Sequence, residues 1–264
     1  MPDDTFAQAE LLVDTHVHTR FSDGIAGVNR IERFCRDRAI GLAVTDHNEI
    51  RGSTSLLARD RIPVLPGVEV GTEEGLDLLV YFADGDVLEE FYVDAIEPFL
   101  RTRFMVRSWI RADDCLQAAK EMGGYVSLAH PFALGRKSLD YQHGRRGKPF
   151  VQRVMDAVDA IELYNGGIHR QANRKARTYA STAGKRLTVG SDSHRLGTIG
   201  SSGTYLPTTA GHTPAAMFHS LKTADDLRFK MKGRASTSTI PMFGIIALKH
   251  THHFMRATKR RAKT

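Results

Sequence analysis

Leu11-Leu-Val-Asp-Thr-His-Val-His18 is an apolar, β-branched run that ends on two histidines two residues apart. Side chains on a strand alternate with period two, so His16 and His18 fall on one face. The pattern recurs. Residues 11–18, 42–47, 64–70, 76–83, 125–130, 160–165 and 187–194 read as short strands. Most finish on a polar, metal-competent type of residue: His47, Glu69, His130, Asn165, and the pair Asp192 and His194. Between them the apolar spacing turns helical, as in Val28, Ile31, Phe34 and Cys35 of 28–38, and in Ala172, Ala176, Tyr179, Ala180 and Ala183. Gly123-Gly124 stops a helix through Leu116 and Ala119 just before the strand at Tyr125. Repeated strand-then-helix order predicts an α/β fold with a mostly parallel sheet, open or closed into a barrel. In such folds the carboxyl ends of the strands gather on one face, so the polar residues that end these runs are predicted to converge there.

Composition bounds the rest. At 264 residues the chain is long enough for one barrel-sized domain. Its hydrophobic content of 41% and charged content of 25% are ordinary for a globular protein, which excludes disordered and membrane-protein classes. No apolar run spans a bilayer, and the acidic stretch 1–10 does not read as a secretory signal, so a cytoplasmic location is expected. Cys35 and Cys115 are too few for a disulfide scaffold and read as core thiols. The predicted organisation is an N-terminal lead over 1–10, a domain over 11–232, and a C-terminal segment over 233–264. The net charge of +7 favours anionic partners, although Lys259, Arg260, Arg261 and Lys263 make part of that excess a tail property.

With 12 histidines in the chain, about 0.5 His-x-His pairs arise by chance, so the first pair alone says little. The argument rests on eight residues at the ends of several separate runs: His16, His18, Asp23, His47, Glu69, His130, Asp192 and His194. Burying so many titratable groups without a partner is costly, and cations remove that cost. Imidazole mixed with carboxylate suits Zn²⁺, Mn²⁺ or Fe²⁺, and the absence of cysteine ligands points to a catalytic site over a structural one.

The blocks Asp14-Thr-His-Val-His-Thr19, Ser22-Asp-Gly24, Val44-Thr-Asp-His-Asn48, Pro66-Gly-Val-Glu69, Leu128-Ala-His-Pro131 and Gly190-Ser-Asp-Ser-His194 resemble, in order, the signature of the PHP (polymerase and histidinol phosphatase) family. The resemblance covers approximately 11–200. It implies a distorted seven-stranded (β/α) barrel and a phosphoesterase with two or three divalent ions. It further implies that His16, His18, Glu69 and Asp192 hold one ion, that Glu69 bridges to a second held by His130, and that Asp23, His47 and His194 hold a third. One position departs from the pattern, because Asp77 stands where many similar proteins carry histidine. Asp77 is an oxygen donor, so the second ion is either kept with altered affinity or lost. A helical insertion common before the Ala-His-Pro strand in similar bacterial enzymes is absent, which implies a more open substrate face.

Paired cations acidify a shared water and neutralise charge on a phosphoryl group. The expected reaction is therefore hydrolysis of a small phosphorylated substrate, with nucleotide mono- or bisphosphates foremost. Arg195 is the candidate phosphate grip, since guanidinium matches phosphate oxygens in pairs. Arg136 and its basic neighbours in 135–149 form either a substrate loop or a solvated one. Asn165 is a further candidate near the ions, or a turn former before Gly166. Arg103, Arg107 and Arg111 share a helical face by spacing and read as solvation. The histidine-rich patch His250, His252 and His253 reads as a surface cluster. Two other functions stay open: an amidohydrolase-type hydrolase of C–N or C–O bonds, and a metal-binding module without catalysis. Nucleic acid is a partner only if a basic groove exists. The oligomeric state is not legible.

Overall fold

The structure is a computed structural model that describes residues 10–100, 108–207 and 211–232. Two sheets make a mixed α/β fold. In the first, β1 (Glu10–Val17) lies between β2 (Gly41–Val44) and β8 (Ser202–Pro207), with β9 (Arg228–Met231) at the edge. In the second, β3 (Gly67–Gly71), β4 (Asp77–Tyr81), β5 (Tyr125–Leu128), β6 (Ala160–Asn165) and β7 (Arg186–Gly190) follow in chain order. Among the described residues eight α-helices accompany them: α1 (Val28–Arg36), α2 (Arg51–Leu57), α3 (Gly85–Phe91), α4 (Ala112–Glu121), α5 (Leu139–Arg146), α6 (Lys148–Ala157), α7 (Arg170–Ala183) and α8 (Pro214–Thr223). α1 and α7 follow the spacing expected over 28–38 and from Ala172 to Ala183, and Gly123, with φ +75°, ends the turn after α4 as its sequence suggests.

The sheet is less parallel than the strand-then-helix order predicts. β1 with β2, and β5 with β6 and β7, pair in parallel, whereas β3, β4 and β5 pair antiparallel, as do β1 with β8 and β8 with β9. The cause at β3–β4 is connection length. Only Thr72-Glu-Glu-Gly-Leu76 joins them, with Gly75 at φ +102° and the Thr72 amide donating to the Leu76 carbonyl at 2.9 Å. A parallel crossover needs a dozen or more residues, so this connection is a hairpin.

The ladders also do not run continuously round a barrel. The two sheets meet at isolated bridges, Val17 with Ser193 on one seam, and Leu42 with Val64 and His47 with Glu69 on the other. At the β1–β7 seam, side chains take the strand groups that a ladder would use. Thr15 Oγ1 donates to the Val189 carbonyl (3.0 Å), Thr204 Oγ1 accepts from the Val189 amide (3.1 Å), and Asp14 Oδ1 accepts from the Ser191 amide (2.9 Å). Apolar faces of the sheets are covered by helices. Val68, Val70, Leu78 and Val80 pack with Leu88, Phe91, Cys115, Leu116 and Val154, while Val44 packs with Ile31, Cys35 and Leu56.

Two other expectations change. Residues 135–149 are mostly helical: a one-turn 3₁₀ helix (Gly135–Lys137) leads into α5, whose cap Ser138 accepts from the Asp140 amide at 3.2 Å, and Gly147 at φ +82° separates α5 from α6. Arg111 has extended backbone just before α4, so it is not part of a helical face. Arg103 and Arg107 lie outside the described residues. So do the lead before Glu10, the C-terminal segment 233–264 and its histidine patch. No helix among the described residues is long and apolar enough to cross a membrane.

Candidate metal centre

All eight predicted ligand-type residues come together, at the strand ends and in the segment after β1. Glu69, fully buried on β3, is their centre. Its Oε2 lies 3.2 Å from His16 Nε2, 3.3 Å from His18 Nε2 and 3.0 Å from His47 Nδ1, and its Oε1 lies 3.2 Å from His130 Nε2. Asp192 adds Oδ1 at 3.1 Å from His18 Nε2 and 3.6 Å from His16 Nε2. On the outer side Asp23 Oδ2 stands 2.9 Å from His194 Nε2 and 3.7 Å from His47 Nε2, and its Oδ1 is 3.5 Å from His18 Nδ1.

Local backbone explains the convergence. His47 and Glu69 are bridge partners across the β2–β3 seam, fixed by the Asn48 amide on the Glu69 carbonyl at 2.8 Å. His130 and Asp192 have φ of +27° and +51°, a region that side-chain-bearing residues rarely adopt, just beyond the ends of β5 and β7. The turn carrying Asp23 is tied down by buried Asp46, whose carboxylate accepts from the Thr19 amide (2.6 Å), Thr19 Oγ1 (2.6 Å) and Ser22 Oγ (2.5 Å). Asp14 does the same for the β7 end, accepting from Ser191 and from the Gly200 amide at 2.7 Å.

Three residues were not singled out as site residues from the sequence. Glu162, in the middle of β6, receives His16 Nδ1 at 3.0 Å on Oε1 and the His130 amide at 2.7 Å on Oε2. A lone acid in the otherwise apolar Ala160-Ile-Glu-Leu is the signal that could have found it. Asp46 was visible only as the neighbour of His47. Lys137 stood out only as one of several basic residues in 135–149, yet its ammonium forms an ion pair with Asp77 Oδ2. Asp77 itself lies inside the cluster, 3.6 Å from His130 Nε2. Asn165 is more than a turn former: its Nδ2 donates to Glu162 Oε2 (2.9 Å) and Asp192 Oδ2 (3.2 Å), while its Oδ1 accepts from the Gly167 amide (2.8 Å). Arg195 is exposed beside His194. Arg136 is exposed too and turns away, with Nη2 donating to the Glu73 carbonyl at 3.3 Å.

Burial and charge oppose each other throughout. Burial pushes the carboxyls of Glu69, Asp192 and Asp23 up, but facing imidazoles hold all three far below the usual carboxylate range. Burial lowers His16, yet Asp192, Glu69 and Glu162 carry it well above the ordinary histidine value. His194 reaches about 9 because Asp23 and Asp192 outweigh its burial, and His130 is raised by Glu69. His47 goes the other way, lowered by burial. Burial lifts Asp14 to about 6 against its hydrogen bonds from Ser191 and Gly200. The pocket end of Lys137 is desolvated against its charge, but Asp77 and then Glu69 keep the ammonium above its normal range.

Does this set fit cations? His18 Nδ1, His47 Nδ1 and His130 Nδ1 are buried without a hydrogen-bond partner among the described residues, and the Nε2 atoms of His16 and His18 face each other at 3.1 Å. Four overlapping groups can each offer ligand atoms to one ion: His18, Asp23, His47 and His194; His16, His18 and Glu69; His16, His130 and Asp192; Glu69, Asp77 and His130. Imidazole and carboxylate donors packed this tightly are the donor set of a divalent transition ion. Glu162 on the far ring nitrogen of His16 is the carboxylate–histidine arrangement that orients such ligands.

The chain is similar to several known proteins. The sequence model of the PHP-associated family matches residues 170–225, which include β7, Asp192 and His194. The uncharacterized protein MJ0417 of Methanocaldococcus jannaschii is 26% identical over 191 residues, 71% of this chain and 67% of that protein. In fold the chain is similar to the lesion-specific endonuclease PfuEndoQ of Pyrococcus furiosus, with TM-score 0.61 and 15% identity over 84% of this chain and 58% of that one. It is also similar to a two-domain protein of Bacteroides vulgatus containing a predicted PHP-like metal-dependent phosphoesterase (TM-score 0.52, 15% identity, 85% and 66% coverage). An amidohydrolase from Chromobacterium violaceum has a related fold (TM-score 0.54, 19% identity, 71% and 89% coverage). At these identities the solved structures speak to fold alone.

Proposed function

We propose that the chain is a PHP-type metal-dependent phosphoesterase acting on a small phosphorylated substrate, a reading supported by the match of the PHP-associated family model to residues 170–225. The observation that carries the reading is Glu69. One carboxylate faces four imidazoles at 3.0–3.3 Å, which is the geometry of a ligand shared between ions. On this reading His16, His18, Glu69 and Asp192 would hold one ion and Asp23, His47 and His194 another, while Glu69 with His130 faces a further corner of the centre. Bound Zn²⁺, Mn²⁺ or Fe²⁺ would supply Lewis acidity and an acidified water.

The chain's own residues do the rest. Glu162 fixes the His16 ring so that Nε2 faces the pocket, and Asn165 fixes Asp192 through its Nδ2. Asp46 holds the turn that presents Asp23. Arg195, exposed directly after His194, would grip a phosphate oxygen from the solvent side. Phosphate release from a panel of phosphomonoesters with added Mn²⁺, Zn²⁺ or Fe²⁺ tests the proposal. Release should vanish in His16→Ala and Asp192→Ala and weaken chiefly through KM in Arg195→Ala. Turnover of amides or lactones in its place would favour the amidohydrolase alternative. A phosphodiester of DNA is the second reading, favoured by the fold shared with PfuEndoQ. Steeply salt-dependent binding and cleavage of DNA, with no phosphomonoester turnover, would select it.

A further inference from the structure

Among the groups that converge on Glu69, one is already provided with a cation by the chain. His130 Nε2 lies against Glu69 Oε1 and against Asp77, and together the three could hold an ion. Yet the Lys137 ammonium reaches into this corner and pairs with Asp77 Oδ2, the same oxygen that faces His130 Nε2. Asp77 is nearly inaccessible, while the Lys137 side chain keeps about a third of its surface. The lysine therefore enters from the rim with its stem partly solvated and its charge inside.

The approach is built into the fold. Lys137 ends the 3₁₀ turn (Gly135–Lys137), and the turn is held by Gln142 of α5, whose Nε2 donates to the Arg136 carbonyl at 2.6 Å and to the Glu74 carbonyl at 2.9 Å. Gln142 is fully buried, and the Leu139 amide adds a bond to the Pro131 carbonyl at 2.8 Å, next to His130. An ammonium so placed repels a divalent ion a few ångströms away and occupies the oxygen it would need.

We propose that Lys137 stands in for a divalent ion at the Glu69–Asp77–His130 corner, so that the centre takes up metal at its other groups and carries fixed protein charge here. This rests on the metal-centre reading above.

Equilibrium dialysis of the full chain against Mn²⁺, with bound manganese read by elemental analysis, tests it. Lys137→Met, which keeps length and removes charge, should bind one more Mn²⁺ per chain than the wild type. Adding Asp77→Asn to it should cancel the gain. Ions bound elsewhere on the chain are common to all variants and subtract out. Asp77→Asn alone needs no lysine variant to fold and should leave the wild-type count unchanged. Equal counts for wild type and a folded Lys137→Met, or a loss of one ion in Asp77→Asn alone, overturn the proposal. His16→Ala separates the two levels. If it binds as much Mn²⁺ as the wild type, the metal centre fails and the proposal with it. If it loses ions while Lys137→Met gains none, only the proposal fails.

Discussion

Glu162 illustrates how much a single buried residue decides. Its two oxygens serve the His16 ring and the His130 backbone, so Glu162→Gln keeps the shape but loses the charge that aligns both. Outer partners of metal-bound histidines are worth about 10–100-fold in ion affinity. Chelator competition should therefore show weaker Mn²⁺ binding in Glu162→Gln with little change in helix content by circular dichroism; unchanged affinity would reduce Glu162 to a structural role. The cysteines carry the opposite lesson. Cys35 and Cys115 are fully buried, and burial pushes both thiols up to about 12. Only the thiolate is nucleophilic, and the thiol form dominates below that value. Iodoacetamide at pH 8 should leave both unmodified in the folded protein and alkylate both in denaturant, whereas alkylation of native protein would show that one is reachable.

At the level of elements, the β1–β7 seam leaves little room for an added side chain. A Cβ on Gly190 would come 2.4 Å from His16 Cβ and 2.9 Å from the His16 amide nitrogen. Neither is a flexible end, so Gly190→Ala should cost about 1–3 kcal/mol in urea denaturation and shift His16 relative to Glu69. A wild-type midpoint would mean that the strands separate at little expense. The β3–β4 hairpin shows why a parallel sheet was over-predicted from the sequence. Its apolar alternation was readable, but a five-residue connection rich in acids looked like an ordinary loop until its length was set against the dozen residues a crossover needs. Residues 135–149 were read as loop for a related reason. Basic residues and glycines masked a capped helix whose anchor, Gln142, bonds to residues distant in sequence.

Across the whole molecule, acids and imidazoles from both sheets share one buried pocket, and apart from the Lys137 ammonium on Asp77 their charges face each other. Binding of cations to the folded form alone should raise stability by mass action. Removing ions with a chelator is expected to lower Tm by roughly 5–10 °C, reversed by Mn²⁺ but not by Ca²⁺. A melting curve indifferent to chelator would argue against a centre that binds metal tightly. Ionic strength provides a separate check on the substrate: a small phosphate ester should show a shallow salt dependence, and a polynucleotide a steep one.

The chain alone determined that an α/β fold would end its strands on histidines and acids, because period-two alternation and apolar runs are local properties that residue order states directly. It also determined the eight ligand-type residues, since their types and spacing are visible without neighbours. Only the tertiary structure decided that Glu162 orients His16, that Asp46 holds the Asp23 turn, that Lys137 neutralises Asp77, and that side chains add to the single Val17–Ser193 bridge in closing the β1–β7 seam. Those contacts join residues tens to more than a hundred positions apart. Pairings at that separation follow from how the sheets meet, which no local pattern of residues encodes.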